Sequence, residues 1–591
     1  MRKFIKLFVL ALLLIVFSPM VTLLAQSEQA FYLAYPPNNH QTVADQIFFI
    51  GSASPNHPVT INNQKIQRSK TGNFAPSFPL KMGVNTFTIR SNNQTIQRQI
   101  TRISNLPEIP TGAKFSANSL TPNQNITRLT GELVCLSAYA LKNVQISVNI
   151  ANQNINLNPQ SNSVQLPANS AVLTARNQPN VAQNILQYQG CTTFENSGNL
   201  GKPIYTITGD NKTVNQTAKG EIEIITTSQV QVVEIISDAG ITRTGPSTDY
   251  SRLTPLPKGT KASVTGTEGD WLRLDYGAWI NRQETQFIPN AIPPQSIVRG
   301  ISSQNTENAT KIIFPLENPV PINIKQQDHK FILTLYNTTA QTDTIYLVEN
   351  QIIKRLDWQQ INPTKVEYTF NLNLAQQWGY EVGYEGTSLI LSLRHPPQLL
   401  DKINRNLAGV SILLDPGHGG KETGAIGPTG YSEKEINLVV SQLLKKELIK
   451  RGATVYLTRE TDEELSLNER VAMINRIKPT LSISIHYNAL PDSGDALNTD
   501  GIGAFWYHPQ AHDLAVFLHN YLTKTLNRPS YGVYWNNLAL TRPHIAPSVL
   551  LELGFMINPT EFEWIINQKE QIKLAEALAD GITEWFYQVV P

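Results

Sequence analysis

The sequence predicts a multidomain chain in which several all-β modules precede one α/β domain with a mostly parallel sheet covered by helices. Three observations carry that reading. At 591 residues the chain is too long for one core, so about three to five domains are expected. Before Asn406, short β-rich runs alternate with Asn, Pro and Gly turns, and Asn, Gln, Ser and Thr fill much of the polar surface. From Leu407 onward, apolar strands alternate with long helical patterns. The formal net charge is +2 and only 16% of residues are charged. With no long Lys/Arg tract, the electrostatic footprint of a nucleic-acid binder is missing, and no nucleic acid is expected as a partner.

Residues 1–25 read as an export signal. Arg2, Lys3 and Lys6 form a basic start, residues 7–17 an unbroken apolar run, and a small-residue cleavage point follows Ala25. Apolar residues continue through Val21, Leu23 and Leu24, so an uncleaved anchor is the alternative. No Cys follows the run, which argues against lipoprotein processing. Cys135 and Cys191 are the only cysteines. In an exported chain they suggest one disulfide inside a single module; two free buried thiols are the alternative.

Residues 30–104 carry β-rich runs at 46–50, 59–61, 85–89 and 95–100, the pattern of a small sandwich. Residues 105–126 hold several prolines and read as a linker. Residues 127–227 are β-rich again and contain both cysteines. In residues 229–290, turn residues separate short strands: Thr242-Arg243-Thr244-Gly245-Pro246-Ser247, Leu256-Pro257-Lys258-Gly259, Gly269-Asp270-Trp271 and Gly277-Ala278-Trp279-Ile280. This stretch resembles a bacterial SH3-like barrel, which implies cell-wall or peptide binding. The plain alternative is that Trp271 and Trp279 are core residues. Residues 296–395, with candidate strands at 311–314, 331–336, 344–348, 366–372 and 388–393, resemble in layout the AMIN domain associated with envelope targeting. Residues 396–406 link to the last domain, 407–590.

In that domain, 410–414, 454–458, 481–485, 503–507 and 548–553 read as strands, and 433–451, 467–477, 511–526 and 569–588 as amphipathic helices. Near-continuous apolar strands between helices argue a mostly parallel sheet covered on both faces. His418 follows the first strand through the Asp415-Pro416-Gly417 turn, His486 stands directly after the third, and Glu552 ends the run from Ser548 to Leu551. If the strands are parallel, all three project at their carboxyl ends, where open α/β sheets bind ligands. Glu433 opens a helix with Ser432 as N-cap and Glu435 as capping-box partner. Glu435 thus has a structural task, and Glu433 is free to face His418. Two imidazoles and one carboxylate suit a zinc ion with one open position, which lowers the pKa of a bound water toward about 7. A second carboxylate held off the ligand set takes the water proton and passes it to the leaving nitrogen; Glu552 is the candidate.

Four stretches sharpen this reading: Leu413-Leu414-Asp415-Pro416-Gly417-His418-Gly419-Gly420, Glu433-Lys434-Glu435-Ile436-Asn437-Leu438, Ser484-Ile485-His486-Tyr487-Asn488-Ala489, and the run from Pro547 through Glu552 to Asn558. In order and spacing they resemble the motifs of N-acetylmuramoyl-L-alanine amidase family 3. The resemblance implies zinc ligands at His418, Glu433 and His486, a catalytic Glu552, and hydrolysis of the amide between N-acetylmuramic acid and L-alanine in peptidoglycan. Asn488 and Arg542 are candidate substrate contacts. Arg459 and Arg470 are expected to serve structural pairing. His508, His512, His519 and His544 match no motif, and His512 and His519 are expected at the surface.

Some members of the family carry a long helical insertion after the third motif that blocks the zinc site. Here only residues 491–499 intervene, too few for several helical turns, so an ungated site with control through the N-terminal modules is expected. A zinc peptidase cutting stem peptides and a non-enzymatic wall-binding protein are the competing readings. The expected partners are peptidoglycan and envelope or division-site proteins; the chain is expected to be monomeric and exported, to periplasm or cell wall.

Overall fold

The computed structural model describes residues 31–104, 112–174, 177–404 and 406–590; the export signal read at 1–25 lies outside them. None of the described helices is long and apolar enough to cross a membrane. The first module pairs a five-stranded sheet, which includes Gly83–Ser91 and Gln94–Arg102, with a three-stranded one. Ile47, Phe49, Val59, Phe74, Phe87 and Ile89 close the core between them.

The second module is built on a six-stranded sheet. Its strands Leu133–Leu141 and Asn180–Thr193 run antiparallel with Cys135 opposite Cys191, and the two are disulfide-bonded. Residues 112–126 belong to this module instead of serving as a linker. Phe115 and Leu120 lie in its core, and Phe115 bridges Ala140. Proline content marks a turn-rich path; burial of two apolar side chains decides where that path goes.

The boundary expected near residue 228 is crossed by hydrogen bonds. Ile126–Leu129 pairs with Lys261–Glu268, so the second and third modules share a nine-stranded sheet. Arg128 lies over the buried Trp279 ring at 5.8 Å and reaches Glu268 at 2.9 Å. Trp279 is thus a core residue, whereas Trp271 is half-buried. The third module and the two sheets of residues 296–395 share one apolar core, from Val233 and Leu272 through Phe314 to Leu391.

The C-terminal domain runs β1 (Ser411–Pro416), α1 (Glu433–Lys450), β2 (Thr454–Leu457), α2 (Leu467–Ile477), β3 (Leu481–Asn488), β4 (Ile502–Trp506), α3 (His512–Thr525), β5 (Ser530–Trp535), β6 (Ser548–Phe555), α4 (Pro559–Ile565) and α5 (Gln568–Val589). The sheet order is β2-β1-β3-β6-β4-β5. It is a mixed sheet in which the expected parallel pairing holds for β2, β1, β3 and β6, while β4 is antiparallel to β6 and β5 is parallel to β4. Strand direction is set by the connections, which apolar patterning does not report. Ile412 and Leu414 face the core built with α1, α3 and α5, and Leu413 packs with Ile474 of α2. Alternation along one strand thus serves both helical layers.

The 296–395 module docks on this domain through Trp378, stacked on Phe586 at 5.8 Å. Arg394 donates to the carbonyls of Pro479 and Ile545 at 2.7 Å. Tyr380 stacks on His544 at 4.5 Å, and His508 Nε2 contacts the Arg542 carbonyl at 2.8 Å. Burial drives His508 down to about 3, with His544 beside it adding to the effect, and drives His544 down to about 4. Both folded values lie below the unfolded one, so the unfolded chain takes up protons first. This contribution is intact above the ordinary histidine value of about 6.5 and is lost as the pH falls toward 4. The urea midpoint of the full chain should therefore fall between pH 7.5 and pH 5, and less steeply in His544→Gln. A slope unchanged by that substitution would contradict burial of a neutral ring.

Candidate functional site

The site is built at the carboxyl ends of β1, β3 and β6. Its foundation is Asp415, whose side chain is inaccessible. The carboxylate accepts from Arg470 Nη1 at 2.7 Å, Thr458 Oγ1 at 2.5 Å and Ser484 Oγ at 3.0 Å. A buried charge requires such partners. Arg470 also donates to the carbonyls of Pro416 and His418, and Arg459 to those of Pro416, Gly417 and Lys434. Two buried guanidiniums therefore hold three successive carbonyls of the turn. His418 is fixed at a φ of 60°, in the left-handed region. Arg459 and Arg470 have the structural role expected of them.

Glu433 enters from the first position of α1. Ser432 N and Oγ both donate to Glu435 Oε2, at 3.2 and 2.9 Å, so Glu435 serves the helix end as expected. Glu433 turns inward and is 3% exposed. It accepts from Ala425 N at 2.8 Å, Tyr487 N at 3.0 Å and Asn437 Nδ2 at 3.1 Å. Its Oε2 lies 3.2 Å from His418 Nε2, and its Oε1 3.1 Å from His486 Nδ1. The imidazoles meet edge to face, 4.9 Å apart.

One ligand atom from each of His418, Glu433 and His486 lies within 4.8 Å of the others. His486 Nε2 and Glu552 Oε2 are buried without a hydrogen-bond partner among the described residues. Two imidazoles, one carboxylate and such orphaned polar atoms fit a divalent cation of the zinc type. Glycine is required where the chain passes closest. A Cβ on Gly424, at a φ of +67°, would sit 2.5 Å from Glu433 Oε2 and 2.6 Å from His418 Cδ2.

Electrostatics separate the two acidic side chains. Burial pushes Glu433 up, but the His418 and His486 rings outweigh it and hold the carboxyl well below the usual range. Burial lowers His418, but Glu433 and then Glu422, 3.1 Å from its Nδ1, outweigh that and raise the ring. Glu552 stands in register with His486 on the neighbouring parallel strand, so both side chains emerge on one face. Burial, then the Glu433 carboxylate, raise Glu552 well above its ordinary value.

Asn488 ends β3 two residues beyond His486 and is half-buried. Arg542 is not brought to the site. β4 and β5 run opposite to β6, so the connection after β5 lies at the other edge of the sheet, and there Arg542 donates to the Asn537 carbonyl at 3.1 Å. His512 is exposed as expected. His519 is not; it is buried, with Ser530 Oγ at 2.8 Å from its Nε2, because it shares a helix face with Ala515, Leu518 and Leu522. Asn437 and Glu422 were not singled out from sequence. Asn437 follows Glu433 by four residues on α1, a spacing that could have found it.

Residues 491–499 form no helix. They are held by the first module: His40 Nε2 lies 2.8 Å from Asp492 Oδ2, Tyr35 also contacts Asp492, and Gln46 donates to the Ser493 carbonyl at 2.7 Å. Phe48, Ile50, Ala496, Phe555 and Ile557 form a common apolar patch. On another side, Tyr531 packs near Glu552 and donates to the Leu173 carbonyl of the second module at 2.7 Å. The N-terminal modules thus touch the rim of the site directly.

Residues 412–584 match the sequence model of the N-acetylmuramoyl-L-alanine amidase family. The chain is similar to a probable cell wall amidase, LytH, of Staphylococcus epidermidis, with 36% identity over 182 residues, 30% of this chain and 60% of that protein. It therefore spans about 60% of the length of the curated relatives it matches. Among solved structures it is similar to the catalytic domain of CwlV, an N-acetylmuramoyl-L-alanine amidase from Bacillus (Paenibacillus) polymyxa, with 28% identity, a TM-score of 0.29, and coverage of 30% of this chain and 99% of that one. It is also similar to the amidase AmiC2 of Nostoc punctiforme, with 28% identity, a TM-score of 0.29, and coverage of 31% and 99%.

Asp415→Asn keeps the side-chain shape but leaves Arg470 buried without its counter-charge. A loss of about 3–5 kcal/mol is expected for breaking such a pair, read by urea unfolding. A loss below about 1 kcal/mol, the scale of an exposed pair, would refute the anchoring role.

Proposed function

We propose that the C-terminal domain is a zinc-dependent amidase that hydrolyses the bond between the lactyl group of N-acetylmuramic acid and L-alanine in peptidoglycan. The observation that carries this reading is the His418–Glu433–His486 cluster with Glu552 in register beside it. The match of residues 412–584 to the amidase family supports it. Zinc held by His418, Glu433 and His486 supplies a Lewis acid for the amide carbonyl and acidifies a water. The remaining steps belong to side chains of this protein. Glu552 takes the proton of the attacking water as the water oxygen bonds to the carbonyl carbon. It then gives that proton to the L-alanine nitrogen as the carbon–nitrogen bond breaks. A carboxylate raised by burial takes up a proton more readily than a solvated one, which suits its part as the base. Glu433, held ionised, suits ligation. Asn488, two residues beyond His486 on the same strand, is the candidate substrate contact.

We infer the wider assignment from the sequence, and similarity to cell wall amidases supports it. The chain is exported and acts in periplasm or cell wall, in wall remodelling or cell separation. Its SH3-like (229–290) and AMIN-like (296–395) modules hold it to wall or envelope components. A peptidase acting on stem peptides is the second reading, because the same side chains would serve a peptide bond.

Mass spectrometry of peptidoglycan digested by the pure full chain should show intact stem peptides beginning at L-alanine; shortened peptides would favour the peptidase instead. Chelation should abolish release, and added zinc should restore it. Glu552→Gln should lower release by about 10²–10⁴-fold, the range for a lost general acid–base. Release equal to that of the parent chain would refute its role.

A further inference from the structure

We propose that the cavity where the 229–290 module, the 296–395 module and the C-terminal domain meet is a binding site for an anionic group, a carboxylate or a phosphate, separate from the metal cluster. The cavity measures about 330 Å³. Arg252, Lys325 and Arg542 line it, one from each of the three units, and no aspartate or glutamate does. It lies at the amino-terminal edge of β6, the opposite end of the sheet from Glu552.

The charges here are arranged against one another. Guanidiniums remain charged at any physiological pH, so gathering them without an acid is unfavourable unless an anion joins them. Arg542 is half-buried. Burial first, then Arg252 and Arg243, hold it below the ordinary arginine value. Its Nη1 serves Asn537, whereas its Nη2 and Nε donate to no described residue. The Arg252 side chain has no hydrogen bond or ion pair among the described residues, unlike Arg243, which donates to the carbonyls of Thr248 and Tyr250. The neighbouring acid, Glu284, feels the charges of Arg252 and Arg243 but forms no ion pair with either among the described residues; it accepts from Ile241 N at 2.7 Å and Ser237 Oγ at 3.3 Å.

Beside the cations stands an aromatic wall. Tyr507 and Trp535 lie 5.2 Å apart, tied by Trp535 Nε1 donating to the Tyr507 carbonyl at 3.0 Å, and Trp535 is 60% exposed. Planar forks recognise carboxylate or phosphate through paired hydrogen bonds, and an exposed indole offers a face for the apolar or ring portion carrying the anion. Because three units contribute, an occupied site stabilises their docked arrangement by mass action.

The inference is independent of the proposed amidase activity, because its readout is binding. Two fluorescent probes distinguish the sources of the anion: a tripeptide with three free carboxylates and an oligomer of glycerol phosphate. Anisotropy on the full chain should show one of them binding, with the affinity falling as salt rises. The Arg252→Gln/Arg542→Gln variant should bind at least about tenfold more weakly, and Lys325→Gln about two- to fivefold more weakly. A carboxylate-bearing wall peptide is indicated if the tripeptide binds, a phosphate polymer if the oligomer does. Failure of both probes, or unchanged affinity in the folded double variant, overturns the proposal. Should the double variant not fold, the exposed Lys325→Gln decides, and unchanged affinity there overturns it too.

Discussion

Much of the site depends on one buried carboxylate. Asp415 lies at the end of a central strand, wholly removed from water, and is neutralised by Arg470 of α2. In this setting the pair is less a source of net stability than a device of position. With Arg470 held by Asp415, its remaining nitrogens fall on the carbonyls of Pro416 and His418, and Arg459 completes the grip on Gly417. A turn that would otherwise sample many conformations is held in one, with His418 in a backbone region that side chains rarely adopt. The histidine is preorganised toward Glu433 and His486 by groups that never touch them.

The same economy governs the glutamates. Four residues bearing carboxylates lie near the cluster, and their surroundings divide the tasks. Glu435 closes the end of α1 with Ser432. Glu433, two residues earlier, is buried among N–H donors and imidazoles that favour its ionised form. Glu422 backs His418 from the exposed side. Glu552, beside His486 but without donors of its own, is pushed the other way. Separation of two carboxyl groups by environment is what a metal ligand and a proton carrier require.

The modules before residue 407 form a continuous body with the last domain. A sheet shared by the second and third modules, a core shared by the third and fourth, and Trp378 inserted beside Phe586 leave few free hinges. The first two modules also reach the rim of the site through Asp492 and Tyr531. Access to the cluster is therefore shaped by parts of the chain more than three hundred residues away, even though the loop after His486 is short.

Residue chemistry and local order were legible in the sequence by itself. Tight turns, caps and strand ends are encoded within a few residues, so His418, Glu433 and His486 could be named and Glu433 told from Glu435. That Glu552 joins them at the carboxyl ends of the strands followed from the same pattern; its register beside His486 came with the structure. Only the tertiary structure decided what depends on contacts between distant segments. It turned two strands against the parallel set and thereby carried Arg542 to the far edge of the sheet. It buried His519 and drew residues 112–126 into a core. It gathered Arg252, Lys325 and Arg542 around one cavity and set the N-terminal modules against the rim. Periodicity reports which face of an element is apolar; it carries no record of which other element will cover that face.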